Sequence, residues 1–224
     1  MRVGIIDTGL QRGQWQRLHG GQSFVLSDEE VLLRPLGQDH LGHGTLVTQL
    51  LSEQAPQAQL LMAQVFGERP ATTAAQVGAG LAWLLEQGVS LINCSLGLHA
   101  DRPMLRELCR QAAEQGVLIC ASSPAMGQPV YPAAYSGVVA VTGDARCQPG
   151  QWSWLQEERA EFGAPVGRGA EGGASMACAR FSGMLAAFWT ERPSLNGAEV
   201  LHYFRQHAIR SGPQTREPLC AENT

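Results

Sequence analysis

The stretch "RVGIIDTG", residues 2–9, decides how the rest of the chain is read. Val3, Ile5 and Ile6 follow one another without the polar alternation of a strand that has one wet face. A strand covered on both sides, as in a parallel sheet, carries such an apolar run. Asp7-Thr8-Gly9 then reads as the turn that leaves the strand. A carboxylate is thereby expected at the carboxyl end of a buried strand, where open α/β sheets hold their ligands.

Strand-like and helix-like segments alternate from there on. Residues 43–53 carry apolar positions at helical spacing after Gly-His-Gly, and "AQLLMAQVF" (58–66) is the next strand. Residues 73–87 form a helix stopped by Gly88, and "VSLINCSLG" (89–97) follows as a strand ending in glycine. A helix over 103–115 precedes the strands "VLICAS" (117–122) and "GVVAVTGD" (137–144). Residues 144–171 are polar and glycine-rich with two tryptophans, read as loop or short strands. A helix then runs on from Ser175, and a terminal helix lies near 196–208. The pattern predicts an α/β fold with a mainly parallel central sheet covered by helices on both faces. One domain is expected over residues 1–210, followed by a polar C-terminal tail over 211–224. Asp7, Ser95–Gly97 and residues 121–125 fall at the carboxyl ends of strands, the places to look for function.

Composition narrows the classes. The chain has 224 residues, 44% hydrophobic and 16% charged, with a net charge of −4. This is the make-up of a globular domain with a real core, and no basic stripe marks a nucleic-acid or anionic-membrane surface. The longest apolar runs, such as "GMLAAFW", are far short of a membrane span. Six cysteines (94, 109, 120, 147, 178 and 220) show neither metal-ligand spacing nor a disulfide framework. "MRVGIID" opens directly as a strand, with no secretion signal ahead of it. The expectation is a cytoplasmic protein without cofactor or metal, whose partner is neither nucleic acid nor membrane.

Three polar residues carry the chemistry. Asp7 ends the first strand, His43 sits in "GHGTLV", and Ser175 sits in "GGASMACARF" (172–181). A nucleophilic serine needs a base within hydrogen-bond reach, and the base needs a carboxylate to hold its tautomer. Each motif alone has a plainer reading: a turn for Asp-Thr-Gly, a structural histidine between glycines, a helix cap for Ser175. In the order Asp, His, Ser, and with their flanking words, the chain resembles the subtilisin-like serine proteases, the subtilase family. "VGIIDTGL", "GHGTLV" and "GASMACARFSG" match the three catalytic segments. "LINCSLG", "VYPAAYSGVVAVTG" and "FGAPV" match the family's substrate strand, specificity-pocket segment and the word ahead of the serine. The resemblance runs from residue 2 to about residue 208 and implies the family's three-layer fold.

It also implies roles. Asp7 would orient His43, His43 would act as general base and then general acid, and Ser175 would be acylated. Substrate would lie extended against Ser95, Leu96 and Gly97, with Ala121, Ser122 and Ser123 along the other wall of the first specificity pocket. Departures from the family bear on the oxyanion. The asparagine that donates to it falls here on Ala125 when aligned without a gap from Gly116, with Ser123 and Pro124 as nearby alternatives. In a subtilisin its removal costs ~10²–10³ in turnover. The threonine before the serine is Ala174. Remaining donors are the Ser175 N–H at a helix start and the hydroxyls of Ser122 or Ser123. Ser-Pro-His after the serine motif becomes Cys178-Ala179-Arg180, with Cys178 read as buried packing. Leu46 replaces a residue that is often polar. The excursion after His43 is shorter than in secreted members, and no calcium-loop cluster replaces what is lost.

The resemblance thus implies a serine endopeptidase working through an acyl-enzyme, suited to specific processing of a peptide or protein substrate. A reduced oxyanion hole leaves room for weak turnover or an activating protein partner. Two alternatives stay open: a pseudoprotease that grips extended peptide as a binding or scaffold subunit, and a transpeptidase or cyclase using the same triad.

Overall fold

Ten strands form one sheet in the computed structural model, which describes residues 1–214. At its centre is β1 (Arg2–Asp7), flanked by β4 (Gln59–Gln64) and β5 (Leu91–Cys94), both parallel to it. Outward from β5 lie β6 (Leu118–Ser122), β7 (Val138–Gly143), β9 (Phe162–Ala164), β8 (Ser153–Trp154) and β10 (Arg210–Ser211). Outward from β4 lie β2 (Leu18–Ser27) and β3 (Glu30–Pro35). Only the β2–β3 and β8–β9 pairs are antiparallel among the described residues. The fold is therefore α/β with a mainly parallel sheet, as the alternation of segments predicts.

Helices cover both faces. On one side, α1 (His43–Gln54), α4 (Ala174–Thr190) and α5 (Gly197–Gln206) close a core that contains Val3, Ile5, Met62, Phe162, Phe181 and Phe204. On the other, α2 (Ala74–Glu86) and α3 (Pro103–Glu114) close a core with Ile6, Leu81, Leu84, Ile92 and Ile119. Ile5 and Ile6 thus serve opposite layers, because successive strand side chains point to opposite faces. This is why the opening run shows no polar alternation. Gly4 belongs to the same logic: a Cβ there would stand 2.7 Å from Leu84 Cδ1, so its absence lets α2 close on β1.

Cys94 and Cys109 lie in the α2–α3 core, and Cys120 and Cys178 in the α1–α4 core. With Cys147 they are free and buried; Cys220 lies outside the described residues. Burial pushes the Cys109 and Cys120 thiols up to about 12.

Two features were not among the expected elements. β2 and β3 form a hairpin whose turn residues, Asp28 and Glu29, both have positive φ (47° and 71°). It forms the sheet edge and leaves Leu33 57% exposed. At the far edge the chain continues past the expected boundary at 210: the Gly212 N–H donates to Trp154 O at 2.9 Å, and the Gln214 N–H to Glu157 Oε1 at 2.9 Å. The rest of the expected tail, 215–224, lies outside the described residues. Among the described residues, no helix is long and apolar enough to cross a membrane.

Candidate active site

β1 delivers Asp7, fully buried, to the carboxyl edge of the sheet. Its Oδ1 accepts from the Thr8 N–H at 2.7 Å and from His43 Nδ1 at 2.7 Å. With Nδ1 donating to the carboxylate, Nε2 of the neutral ring is left as the acceptor. Asp7 Oδ2 is buried without a hydrogen-bond partner, so His43 is its only side-chain donor among the described residues. His43 opens α1 behind Gly42, which takes a left-handed φ of 77°. A Cβ on the next residue, Gly44, would stand 2.9 Å from Gly9 N and 3.1 Å from Asp7 Oδ1. Glycine there lets the helix start press directly on the Asp7 turn. Burial lowers the His43 pKa, but the Asp7 hydrogen bond and the charges of Asp7 and Asp39 outweigh it and raise the net value above 6.5.

Ser175 is the second residue of α4. The cap position belongs to Gly173 (φ 89°), which supplies no side-chain bond, so Ser175 is not the helix cap. α2 and α5, by contrast, begin with complete capping boxes, Thr73 with Gln76 and Asn196 with Glu199. The first N–H groups of α4, that of Ser175 among them, are left without a capping side chain. Ser175 Oγ donates to Ser95 O at 3.0 Å, and Ser95 Oγ returns a bond to Ser175 O at 2.9 Å. Behind them, Asn93 Nδ2 donates to Ser95 Oγ at 2.9 Å and Ser182 Oγ donates to Asn93 Oδ1 at 3.0 Å. The structure therefore brings Asp7 and His43 into contact and pins Ser175 to the segment that follows β5. Among the described residues no hydrogen bond joins Ser175 to His43.

His43, Ser95, Leu96 and Gly97 border one cleft of about 1160 Å³, which Phe66 and Met104 also line. Gly97 is exposed, and among the described residues its N–H and C=O make no backbone hydrogen bond. Leu98, next along, pairs both ways with Tyr131 at 2.8 and 2.9 Å. Of the three residues expected along the opposite wall, Ala121 and Ser122 border neither this cleft nor the pocket beside Ser123. Ala121 is fully buried and its side chain belongs to the α2–α3 core, so it offers no wall. Ser123 and Pro124 instead line a separate pocket of about 200 Å³ with Val130 and Ala134. Ser122 and Ser123 are buried as residues, yet their hydroxyls bond to no described residue. Cys178 is fully buried, and burial holds its thiol well above the ordinary value. Among the described residues no group of three or more His, Cys, Asp or Glu side chains is placed to hold a metal ion.

Three further polar residues surround the Asp7–His43 pair: Thr8, Asp39 and Gln64, all buried. Sequence reading did not single out Asp39 or Gln64. The one available signal was the position of Asp39, four residues ahead of His43.

Comparison with known proteins agrees with this architecture. The Subtilase family model (Peptidase_S8) matches residues 1–219, and the chain belongs to that family. It is 30% identical over 178 residues to the minor extracellular protease Epr of Bacillus subtilis, covering 74% of this chain and 26% of that protein. It is 28% identical over 233 residues to a thermostable alkaline protease of Halalkalibacterium halodurans, covering 94% of this chain and 63% of that one. The chain thus spans less than two thirds of the length of these curated relatives. Among solved structures, a lanthipeptide protease superposes with a TM-score of 0.73 at 19% identity, over 93% of this chain and 80% of that one. The epidermin leader peptide processing serine protease of Staphylococcus aureus gives 0.75 at 17%, over 97% and 71%. At such identities these two likenesses speak for the fold.

Proposed function

We propose that this chain is a serine endopeptidase that cleaves peptide bonds through an acyl-enzyme, with Asp7, His43 and Ser175 as its catalytic residues. The observation that carries the reading is the 2.7 Å bond from His43 Nδ1 to a buried Asp7, at the mouth of a cleft with an unpaired main-chain edge. Extended peptide pairs with the free N–H and C=O of Gly97 and sends alternate side chains to the two walls. Ser175 Oγ leaves Ser95 O, gives its proton to His43 Nε2 and attacks the scissile carbonyl. Asp7 stabilises the imidazolium, which then protonates the leaving amine; water repeats the cycle on the acyl-enzyme. The oxyanion accepts from the Ser175 N–H at the uncapped start of α4 and from the uncommitted hydroxyl of Ser123 or Ser122. The substrate is a peptide or protein precursor processed at a defined site, a reading supported by the leader-peptide protease among the structural neighbours. A relative named as extracellular gives no support to the cytoplasmic location expected from the sequence.

The test is a fluorophosphonate probe followed by mass spectrometry. Labelling at Ser175 that disappears in His43→Ala supports the reading; no labelling under conditions that modify a control subtilisin refutes it. One observation favours a second reading, a peptide-binding pseudoprotease: Ser175 Oγ is engaged by Ser95, while Ala125 and Ala174 remove two side-chain donors. That reading predicts peptide binding without labelling.

A further inference from the structure

Asp39 lies in the loop between β3 and α1 and is only 3% exposed. Its Oδ1 accepts from Thr8 Oγ1 at 2.9 Å, the Leu41 N–H at 3.0 Å and the Gly42 N–H at 2.8 Å. Its Oδ2 accepts from the Thr45 N–H at 2.9 Å and the Thr45 hydroxyl at 2.6 Å. All these donors are neutral, and no cationic side chain pairs with Asp39 among the described residues. They also stand on both sides of the catalytic pair: Thr8 follows Asp7, while Leu41, Gly42 and Thr45 frame His43. Thr8 Oγ1 accepts from the Gly44 N–H at 2.7 Å, so a continuous chain runs from α1 through Thr8 to Asp39.

Gln64, 4% exposed on β4, closes the loop from below. It donates to Thr8 O at 2.9 Å and Gln38 O at 3.2 Å, and accepts from the Gly37 N–H at 2.8 Å. Asp39 is thus fixed against both the Asp7 turn and the His43 helix.

A carboxylate placed in this way has two effects. It sets the spacing of two loops that must agree for Nδ1 to meet Asp7. Its charge, uncompensated and out of water, favours a positive His43 more than a surface charge would. The charged groups acting on His43 are Asp7, from β1, and Asp39, from the loop before α1. α4 and the segment that follows β5 present Ser175 and Ser95, both uncharged. Burial raises the Asp39 pKa, but the bonds from Thr45, Gly42 and Thr8 outweigh it, so the net value is lowered and the group is ionised at neutral pH.

We propose that Asp39 is a positioning residue of this catalytic site: a buried, cation-free carboxylate that holds His43 in register with Asp7 and stabilises its imidazolium form. The proposal rests on the protease reading above, and its test separates the two. The full chain is compared as wild type, Asp39→Asn, Thr8→Val and Thr8→Ser. One readout is the His43 titration by NMR, which needs no catalysis; the other is the rate of Ser175 labelling by fluorophosphonate against pH.

Asp39→Asn is expected to lower the His43 midpoint and to slow labelling on its alkaline plateau by roughly tenfold to a hundredfold, the scale of a displaced catalytic group. A role in folding alone would leave the midpoint in place, and an unchanged midpoint in the folded variant overturns the proposal. If Asp39→Asn does not fold, Thr8→Val decides: slowed labelling that Thr8→Ser restores supports the positioning role, and wild-type labelling refutes it. A wild type that never labels refutes the protease reading, while the His43 titration still answers for Asp39.

Discussion

Asp39 and Asp144 are both buried carboxylates in loops at the rim of the sheet, both ionised and both fully hydrogen-bonded, yet they are held by different kinds of donor. Asp144, just after β7, accepts from Arg146 Nε and Nη2 at 2.9 and 2.8 Å and from Ser153 Oγ at 2.6 Å. The Arg146 guanidinium also reaches Pro213 O at 3.4 Å, so the cluster fastens β8 and the last described residues to β7. Burial raises the Asp144 pKa, but the bonds from Arg146 and Ser153 bring it to a net lowering. Its charge is cancelled where it stands. Asp39 reaches the same net direction with amides and hydroxyls alone, and its charge remains to act on His43. Burial and hydrogen-bond number are alike in the two; the charge of the donor separates an acid that fastens the fold from one that tunes a neighbour.

The largest effect on stability is expected at the fastened acid. Asp144→Ala strands Arg146 and should cost about 2–3 kcal/mol in urea unfolding, the low side for a broken buried pair because Arg146 is 31% exposed and can rehydrate. Ser175 labelling per folded molecule should not change; a slowed reaction would erase the distinction. Asp39→Asn should cost less, about 1–2 kcal/mol, since the amide oxygen still accepts from one side. It alone should slow labelling.

The pH profile sharpens the contrast. Labelling requires neutral His43, so it should rise with pH through a midpoint above the ordinary histidine value of about 6.5. Asp39→Asn should move that midpoint down and Asp144→Asn should leave it. For both acids the folded pKa is depressed. Their stabilising contribution is present above the unfolded value of about 3.9 and is lost as pH falls through the folded one. Circular dichroism in acid should therefore show a shallower loss of structure below about pH 4 in either Asn variant. The smallest effect is expected on the surface of α3. Arg110 joins Glu107 and Glu114 in the open, and Arg110→Ala should leave the urea midpoint where it is.

How much of this was legible in the sequence follows from the same physics. β1, β4–β7 and all the α-helices showed through, because burial on both faces writes an unbroken apolar run and burial on one face writes a period. The β2–β3 hairpin did not: its turn is Asp28-Glu29, without the glycine or asparagine that usually marks two left-handed residues in a row. Asp7, His43 and Ser175 stood out because their flanking words did. Asp39 and Gln64 did not, since a buried polar residue, whether in a loop or at the end of a strand, is spelled like an exposed one. Ala121 was assigned to a wall and lies in a core, because position along a strand does not tell which face a small residue serves. The cap reading of Ser175 was excluded only by coordinates, which place Gly173 at the cap.

The buried cysteines have a consequence for measurement. Thiols pushed up to about 12 at Cys109 and Cys120, and well above the ordinary value at Cys178, are protonated and out of reach in the folded chain. An alkylating reagent meets them only when the surrounding layer parts. Cys94 and Cys109 report on the α2–α3 side, Cys120 and Cys178 on the α1–α4 side that carries Ser175. Site-by-site alkylation rates therefore act as a pair of internal clocks, one for each layer, that count how often each half of the molecule opens.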